Sequence, residues 1–258
     1  MRLQRPESAG LLIVNADDLG GHQLATDRTF TAFEAGAITS ATAMVFMQDS
    51  ERAATEARSK ELPAGLHLNL TQRFDGAAVP PAVAARQARI VRYMAHPRRR
   101  RFGFAPQLVM TVKAALEDQL ERFRELYGRE PTHIDGHNHV HLNPTVLHVL
   151  PGSYAVRPGY DPTSASPVRL LRRARNRKVR RRHPTVGHFF ALTSLHPALG
   201  GHGLEQALRA AGSGSVELMV HPAEDRVFEV LLTDDWRRRI AEEHLGSYRD
   251  LVAAGAAV

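Results

Sequence analysis

The sequence has no cysteine among its 258 residues. This excludes disulfide bonds, thiolate metal sites and a cysteine nucleophile, and it leaves the redox compartment undetermined. Long hydrophobic runs are missing as well, since none approaches the roughly 18 apolar residues of a membrane span, so any membrane contact must be peripheral. Near the N-terminus only the run LLIV precedes two acids, whereas a signal peptide needs roughly 7 to 15 apolar residues. We therefore expect a cytoplasmic protein.

Acidic residues are absent from two strongly basic segments, 98–101 (RRRR) and 169–183 (RLLRRARNRKVRRRH), which hold 13 of the 34 lysines and arginines. Because the rest of the chain is net acidic, the formal charge of +7 belongs to these segments and not to the fold. They suit a phosphate-rich partner, an anionic membrane surface or an acidic glycan, and the alternative is a solvated, partly disordered insertion. Aromatic residues that could stack on bases do not interleave the second segment, so we do not expect nucleic acid as a partner. The oligomeric state is left open, with a homodimer possible.

Short runs rich in Val, Ile and Leu alternate with helical patterns along the chain. The predicted strands lie near 11–16, 40–46, 64–70, 132–135, 154–157 and 216–220. The predicted helices lie near 23–35, 50–60, 106–127, 204–211 and 234–254. This alternation is typical of a parallel sheet with outer helices, either closed as a barrel or open and doubly wound. We interpret residues 1–258 as a single domain, with long Arg-rich excursions near 72–105 and 158–186.

Polar residues follow several of these predicted strands, which is where the working residues of parallel α/β folds lie. They come from five separate segments: Asp17 and Asp18, His67, the segment from 133 to 141, Arg157, and His221. Convergence of five segments on one rim is hard to obtain by chance. Each residue alone is weak evidence, because a single histidine on an apolar strand is more often a hydrogen-bonded core residue than a ligand.

The sharpest local pattern places polar side chains at alternate positions, namely His133, Asp135, His137, His139 and His141. An extended chain would turn them to one side, but five ligands spread over about 13 Å cannot reach one ion, and the chain must bend near Gly136. A carboxylate with two imidazoles leaves coordination positions open for water and substrate, as a hydrolytic metal centre requires. The alternative is a surface histidine-rich loop with adventitious metal affinity.

Two adjacent carboxylates, Asp17 and Asp18, end the first predicted strand, although acids are disfavoured in strands and repel each other. Successive residues at a strand end point in different directions. One acid can therefore bind an ion while its neighbour accepts a proton from the attacking water. A helix N-cap would explain one acid and leave the other without a role.

Five segments resemble, in order, the motif series of the YdjC-type carbohydrate deacetylases: NADDLG, GLHLNLT, PTHIDGHNHVHLNP, VRPGYDP and ELMVHPA. That family includes chitooligosaccharide deacetylases and the deacetylase-like proteins of hopanoid biosynthesis. The resemblance implies an α/β fold, a distorted (β/α) barrel of parallel strands with outer helices. It also implies removal of an N-acetyl group from an amino sugar or glycolipid with the help of one divalent cation, zinc or magnesium. Carried over by motif position, it implies Asp18, His67 and His137 as metal ligands, Asp17 as catalytic base, His221 as acid, and Arg157, Asp135 and His139 as substrate-binding residues.

The sequence departs from the family pattern in three places. GGHQ follows the paired acids, Asn138 stands at the middle of the usual histidine run, and the segment 167–186 is unusually rich in arginine. The first two departures leave the implied ligands intact, and we expect His22 to begin a helix. The third leaves the substrate open. Rival functions are a metal-dependent hydrolase acting on a phosphoester or lactone, and a non-catalytic polyanion-binding module.

Overall fold

The computed structural model describes residues 10–160, 168–192 and 202–255. Within these ranges, parallel strands form one sheet in the order β4-β3-β2-β1-β6-β5. The strands are β1 (Leu11–Leu19), β2 (Ser40–Ala43), β3 (Ala64–Leu68), β4 (Ile134–Gly136), β5 (His188–Leu192) and β6 (Ser215–Val220). The sheet is curled like half a barrel and carries helices on its outside, which confirms the predicted α/β fold class.

The described helices are α1 (Gln23–Glu34), α2 (Ser50–Ser59), α3 (Pro81–Met94), α4 (Pro97–Phe102), α5 (Val109–Tyr127), α6 (Pro144–Val149), α7 (Val168–Arg182), α8 (His202–Ala211), α9 (Asp225–Leu231), α10 (Asp234–Ala241) and α11 (Tyr248–Gly255). No helix in this set is long and apolar enough to cross a membrane. The expectation that His22 begins a helix is confirmed, because it is the N-cap of α1 and its Nδ1 accepts the Ala25 N–H at 3.3 Å.

The first strand is held by its apolar run. Leu12, Ile13 and Val14 are fully buried, as expected for a central parallel strand covered on both faces. Each such side chain contributes roughly 1.5–3 kcal/mol through burial. The run therefore fixes β1 in the sheet, and with it the position of the two acids near its end.

The prediction of a strand over 154–157 is wrong. In this segment Val156 forms a single bridge with Ile134 of β4, and its N–H donates to the carbonyl of Pro184 at 2.9 Å. Pro158 follows directly and cannot donate to a ladder. The segment therefore links β4, at one edge of the sheet, to the chain that leads into β5 at the other edge. The strand β5 itself was not predicted.

The prediction of one helix over 234–254 is also wrong, because the chain leaves the helical path between α10 and α11. There Leu245 forms a parallel bridge with Leu12 beside β1. The excursions near 72–105 and 158–186 contain α3, α4 and α7, although 161–167 lie outside the described residues. Both basic segments are therefore helical where the structure describes them, which does not support the alternative of a disordered insertion.

Candidate metal centre and active site

Asp17 and Asp18 lie at an irregularity of β1, where its pairing with β2 shifts register between Ala16 and Leu19. Asp18 adopts a left-handed backbone conformation with φ 66°, which is uncommon for a residue other than glycine. An irregularity of this kind re-aims side chains relative to a regular strand. As a result, the two neighbouring carboxylates contact different partners.

The carboxylate of Asp18 faces two imidazoles. Its Oδ1 lies 2.8 Å from Nδ1 of His137 and 3.1 Å from Nε2 of His67. The three side chains each offer a ligand atom, and these atoms lie within 4.8 Å of one another. Burial raises the pKa of Asp18, but its hydrogen bonds with His137 and His67 outweigh this, so the pKa lies well below its ordinary value. The structure thus brings together one carboxylate and two imidazoles from β1, β3 and the turn after β4.

The imidazole of His67 is also fixed through Nδ1, the ring nitrogen that does not face Asp18. Its Nδ1 lies 2.7 Å from Oδ1 of Asp135, and the hydroxyl of Thr42 donates to the other oxygen of Asp135 at 3.0 Å. Burial alone would lower the pKa of His67, but the charges of Asp135 and Asp17 raise it well above its ordinary value. With Nδ1 engaged by Asp135, Nε2 is the nitrogen that faces Asp18, where it would offer its lone pair to a bound cation. Such a carboxylate behind a histidine is a common means of orienting a metal ligand.

Asp17 is turned away from His137 and toward Arg157, which donates two hydrogen bonds of 2.7 and 2.6 Å to its two oxygens. Oδ1 also accepts from the amide of Asn15 at 3.0 Å. Among the described residues Oδ2 accepts only from Arg157, so it is the oxygen left to take a proton. Burial raises the pKa of Asp17, but the charge of Arg157 overcomes it, so the pKa is lowered and the group is ionised at neutral pH.

Arg157 is fully buried among three carboxylates. Besides Asp17, its guanidinium contacts Asp135 at 2.6 Å and donates from Nε to Glu217 at 2.7 Å. Glu217 also accepts from the hydroxyl of Tyr248 at 2.6 Å. Burial raises the pKa of Glu217 to about 7, even with Arg157 opposing it. This network fixes the guanidinium, which in turn fixes the orientation of Asp17.

His221 follows β6 at the same rim. Its Nε2 lies 3.9 Å from Oδ2 of Asp18, and its Nδ1 lies 3.9 Å from the carboxylate of Glu224. The side chain is 26% exposed, compared with 3% for Asp17, so it can reach a bound molecule. The structure therefore places this histidine beside the Asp18 cluster.

The alternating histidines do not share one face. His133 and Asp135 belong to the extended part of the chain, but Asn138 and His139 adopt left-handed conformations with φ 56° and 55°. The 3-10 helix His137–Leu142 therefore begins where an extended chain was considered, and the bend expected near Gly136 is present. His139 turns to the hydroxyl of Tyr160 at 2.8 Å and is only partly buried.

Two of the residues predicted to contact substrate lie behind the site. Arg157 and Asp135 have no exposed surface, and their polar atoms are engaged by buried partners, so their burial does not support direct substrate contact. Sequence reasoning missed Thr42, Glu217 and Tyr248. The sequence did carry a signal for Glu217, because it lies in the apolar strand VELMV and a buried acid requires a partner.

Two buried neutral histidines should make the fold sensitive to acid. Burial lowers the pKa of His133 and of His141 to about 3, against about 6.5 in the unfolded chain. The unfolded state then binds more protons, so the stability that each contributes is present above pH 6.5 and is lost as pH falls toward 3. We expect each histidine to cost the folded state about 2 kcal/mol between pH 7 and pH 5. Glu217 acts oppositely, because its raised pKa favours the folded state at the acid end of that interval.

The measurement is denaturant unfolding of the metal-free protein at pH 7 and pH 5. His133→Phe preserves a ring against Tyr248, whose centroid lies 3.8 Å away, and should reduce the loss by about 2 kcal/mol. His244→Phe removes an exposed histidine that contacts the Gly10 carbonyl, and it is the matched control. An equal reduction in both variants would contradict the assignment of the pH dependence to buried histidines.

Comparison with known proteins identifies relatives over most of the chain. The family model of the YdjC-like protein matches residues 11–245. A chitooligosaccharide deacetylase of Serratia marcescens is 30% identical over 262 residues, covering 93% of this chain and 99% of that protein. A carbohydrate deacetylase of Homo sapiens is 39% identical over 148 residues, covering 54% of this chain and 43% of that protein. The matched region thus spans less than half of the human relative, and the same holds for a mouse relative at 45%.

Solved structures show the same architecture at lower sequence identity. A protein from Enterococcus faecalis superposes with a TM-score of 0.71 at 22% identity, covering 95% of this chain and 99% of that chain. The Xyl-CE4 domain of a xylanase from a termite hindgut metagenome gives 0.55 at 10% identity, covering 96% of this chain and 92% of that domain. These similarities concern the fold, whereas the family model and the Serratia relative establish kinship. The chain therefore belongs to the YdjC-like protein family.

Proposed function

We propose that this chain is a metal-dependent deacetylase that removes the acetyl group from an N-acetylated amino sugar. The observation that carries the proposal is the Asp18, His67 and His137 cluster, with Asp17 4.0 Å from His67 and His221 3.9 Å from Asp18. The names of the relatives, carbohydrate deacetylase and chitooligosaccharide deacetylase, support an acetyl group as the substrate's reacting part.

The residues present fit a divalent cation. Two imidazole nitrogens face the same carboxylate oxygen, a donor set that zinc, cobalt and iron accept more readily than magnesium does. The left-handed backbone at Asp18 is a strained feature of the kind found at functional sites. When bound, a cation at this cluster supplies Lewis-acid chemistry, polarising the amide carbonyl and easing deprotonation of water.

Asp17 and His221 divide the proton transfers. Oδ2 of Asp17 takes the proton of the attacking water, while Arg157 holds the carboxylate in one orientation. His221 donates a proton to the nitrogen of the departing amine, which is a poor leaving group until it is protonated. Glu224 lies behind His221 and can orient its ring. The products are acetate and a free amino sugar.

The role of His221 can be tested by comparing substrates that differ in their leaving group. His221→Ala should keep its metal, yet lose about 10²- to 10⁴-fold in kcat on an N-acetyl substrate, because amine departure requires an acid. On an O-acetyl ester with an acidic alcohol, which departs without protonation, we expect a much smaller loss. Rates are compared at saturating metal. Equal losses on the amide and the ester would assign His221 a structural or binding role.

The proposed function is tested by incubating the full chain, loaded in turn with zinc, cobalt and magnesium, with N-acetylglucosamine, chitobiose and longer N-acetylated oligomers. Release of acetate and of a new primary amine is measured together. An Asp18→Ala variant is the control, since it should lose both bound metal and acetate release. Hydrolysis of a phosphoester or lactone panel without any acetate release would favour the rival hydrolase. Anion binding without any hydrolysis would favour the non-catalytic module.

A further inference from the structure

An arginine-rich cavity lies directly beside the candidate active site. It encloses about 290 Å³ and is lined by Arg98, Arg100 and Arg101 of α4, by Arg175 of α7, and by Asn138 and His139. None of its lining residues is an aspartate or a glutamate. The two basic segments, which lie some seventy residues apart in the sequence, thus contribute to a single cavity. We refer to it below as the arginine cavity.

The arginines of α4 are not balanced by neighbouring acids. Within the described part of the chain, Arg98, Arg100 and Arg101 form no ion pair with a carboxylate, whereas arginines on several other outer helices, such as Arg52, Arg122 and Arg239, do. Several guanidinium groups around one cavity repel each other, and a bound anion would relieve that repulsion. The arrangement is therefore electrostatically incomplete without an anionic ligand.

The two helices are anchored to the catalytic segments. The side-chain amide of Asn143 donates to the carbonyls of Arg99, Arg100 and Gly103 at 3.0, 2.9 and 3.1 Å. Asn176 of α7 exchanges two hydrogen bonds with the backbone of Gly159, at 2.8 and 3.0 Å. The helices that carry the arginines are consequently a fixed part of the fold before any ligand arrives.

The cavity is close to the metal cluster along the chain. His137, whose imidazole faces Asp18, is followed directly by Asn138 and His139, which line the cavity. Consecutive α-carbons are 3.8 Å apart, so those of His137 and His139 are separated by at most about 7.6 Å. An anion in the cavity would therefore belong to a substituent carried directly on the sugar in the active site, not to a distant unit of a long oligosaccharide.

The number of arginines and the cavity volume indicate more than one phosphate. A guanidinium binds a phosphate through two parallel N–H donors, so the three arginines of α4 offer about six donors, twice the number of terminal oxygens on a phosphate monoester. Arg175 adds positive charge, while its Nη2 donates to the carbonyl of Arg101. The volume of about 290 Å³ is also several times the roughly 30 Å³ that a water molecule occupies in the liquid. We propose that the arginine cavity binds the diphosphate group of an N-acetylated amino sugar diphosphate. This inference rests on the proposed deacetylase function.

The binding test uses inorganic pyrophosphate and inorganic phosphate with the full chain, by calorimetry at fixed ionic strength. We expect pyrophosphate to bind at least about 10-fold more tightly than phosphate, because it reaches more arginines. The triple variant Arg98→Gln, Arg100→Gln, Arg101→Gln should lose at least about 30-fold in pyrophosphate affinity. These side chains lie at the surface and glutamine is a good helix former, so α4 should remain folded, which circular dichroism checks.

A charge-matched control separates local binding from the general field of the protein. Arg89→Gln, Arg209→Gln, Arg226→Gln removes the same number of charges from exposed positions outside the cavity. It should change pyrophosphate affinity by less than about 3-fold, because exposed charges are screened beyond about 10 Å. Equal losses in the two triple variants, or equal affinity for phosphate and pyrophosphate, would overturn the proposal.

Turnover distinguishes this inference from the proposed function. Acetate release is measured with neutral chitobiose, with a nucleoside-diphosphate-linked N-acetylglucosamine and with a polyprenyl-diphosphate-linked one. The cavity variant should raise KM at least about 10-fold for a diphosphate substrate and leave that for chitobiose unchanged. A lower KM for the nucleoside diphosphate would identify a soluble substrate, and a lower KM for the polyprenyl diphosphate would identify a lipid-linked one. Deacetylation of chitobiose without pyrophosphate binding would overturn the inference alone, whereas pyrophosphate binding without acetate release from any substrate would overturn the proposed function.

Discussion

Asp17→Asn is expected to lower kcat by about 10²- to 10⁴-fold while the metal remains bound, because the substitution removes the proposed base and leaves Asp18, His67 and His137 in place. Oδ2 of Asp17 is the oxygen available for the proton, and an amide cannot take up a proton there at neutral pH. Metal content is measured by elemental analysis, and kcat at saturating metal, since loss of a nearby negative charge also weakens cation binding somewhat.

Asp18→Asn is the matched control, because it changes the adjacent carboxylate in the same way. Its expected signature is different: metal affinity and activity should fall together, and added metal should recover part of the rate. The amide in Asp17→Asn also loses one hydrogen bond with Arg157, so thermal unfolding of both variants is compared with the parent. Near-parental turnover of Asp17→Asn at saturating metal would refute the division of roles between the two acids.

The parts of the fold that follow from local sequence were predictable. Continuous apolar runs such as LLIV mark buried parallel strands, and five of the six described strands were predicted. The exceptions depend on the rest of the chain. The segment 154–157 has strand-like composition, yet it forms a single bridge with β4 on one side and one hydrogen bond with Pro184 on the other. The strand β5 contains the short apolar run FFAL, but it lies at the sheet edge with only Phe189 and Leu192 buried.

The candidate site was likewise predictable from the sequence only in part. The sequence predicted the cluster, because polar residues follow several strands and the carboxyl ends of parallel strands meet at one edge of the sheet. What sequence did not reveal is the left-handed backbone at Asp18, Asn138 and His139, which separates neighbouring side chains. The sequence also did not reveal that Arg157 is fully buried, in a network with Glu217 and Tyr248 from a distant part of the chain. Alternation in sequence predicts a shared face only while the chain stays extended.

This buried network also explains why Arg157 is better understood as a positioning residue than as a substrate contact. Its side chain is fully buried and compensates Asp17, Asp135 and Glu217, three carboxylates whose charges repel each other. A guanidinium can hold Asp17 through two parallel bonds, which fixes both the position and the ionised state of the proposed base. A lysine would supply the charge without the two-pronged geometry.

Arg157→Met is therefore expected to destabilise the fold by about 3–5 kcal/mol, a large fraction of the about 5–15 kcal/mol that stabilises a typical domain. The cause is not lost packing, since methionine fills similar space, but the buried carboxylates left without a cation. Arg157→Lys should recover much of the stability and less of kcat, because the charge returns without the paired bonds to Asp17. Stability is measured by denaturant unfolding, and kcat by acetate release at saturating metal.

The sign of the pH dependence gives the sharpest test of this network. In the parent, Arg157 lowers the pKa of Asp17 and of Asp135 below their ordinary values, so the stability they contribute is lost as pH falls through those lowered pKa values. In Arg157→Met burial and mutual repulsion raise the pKa of each carboxyl, and the charge of His67 opposes them without the help of Arg157. The folded variant then binds protons more readily than the folded parent, and its stability deficit relative to the parent should shrink as pH is lowered from 7 to 5. Adding Glu217→Gln to Arg157→Met should change the deficit at pH 7 little, because without Arg157 the pKa of Glu217 rises above the value of about 7 that it has beside Arg157, so the group carries little charge. A deficit that is constant with pH would mean that Arg157 stabilises the protein by packing and not by compensating these carboxylates.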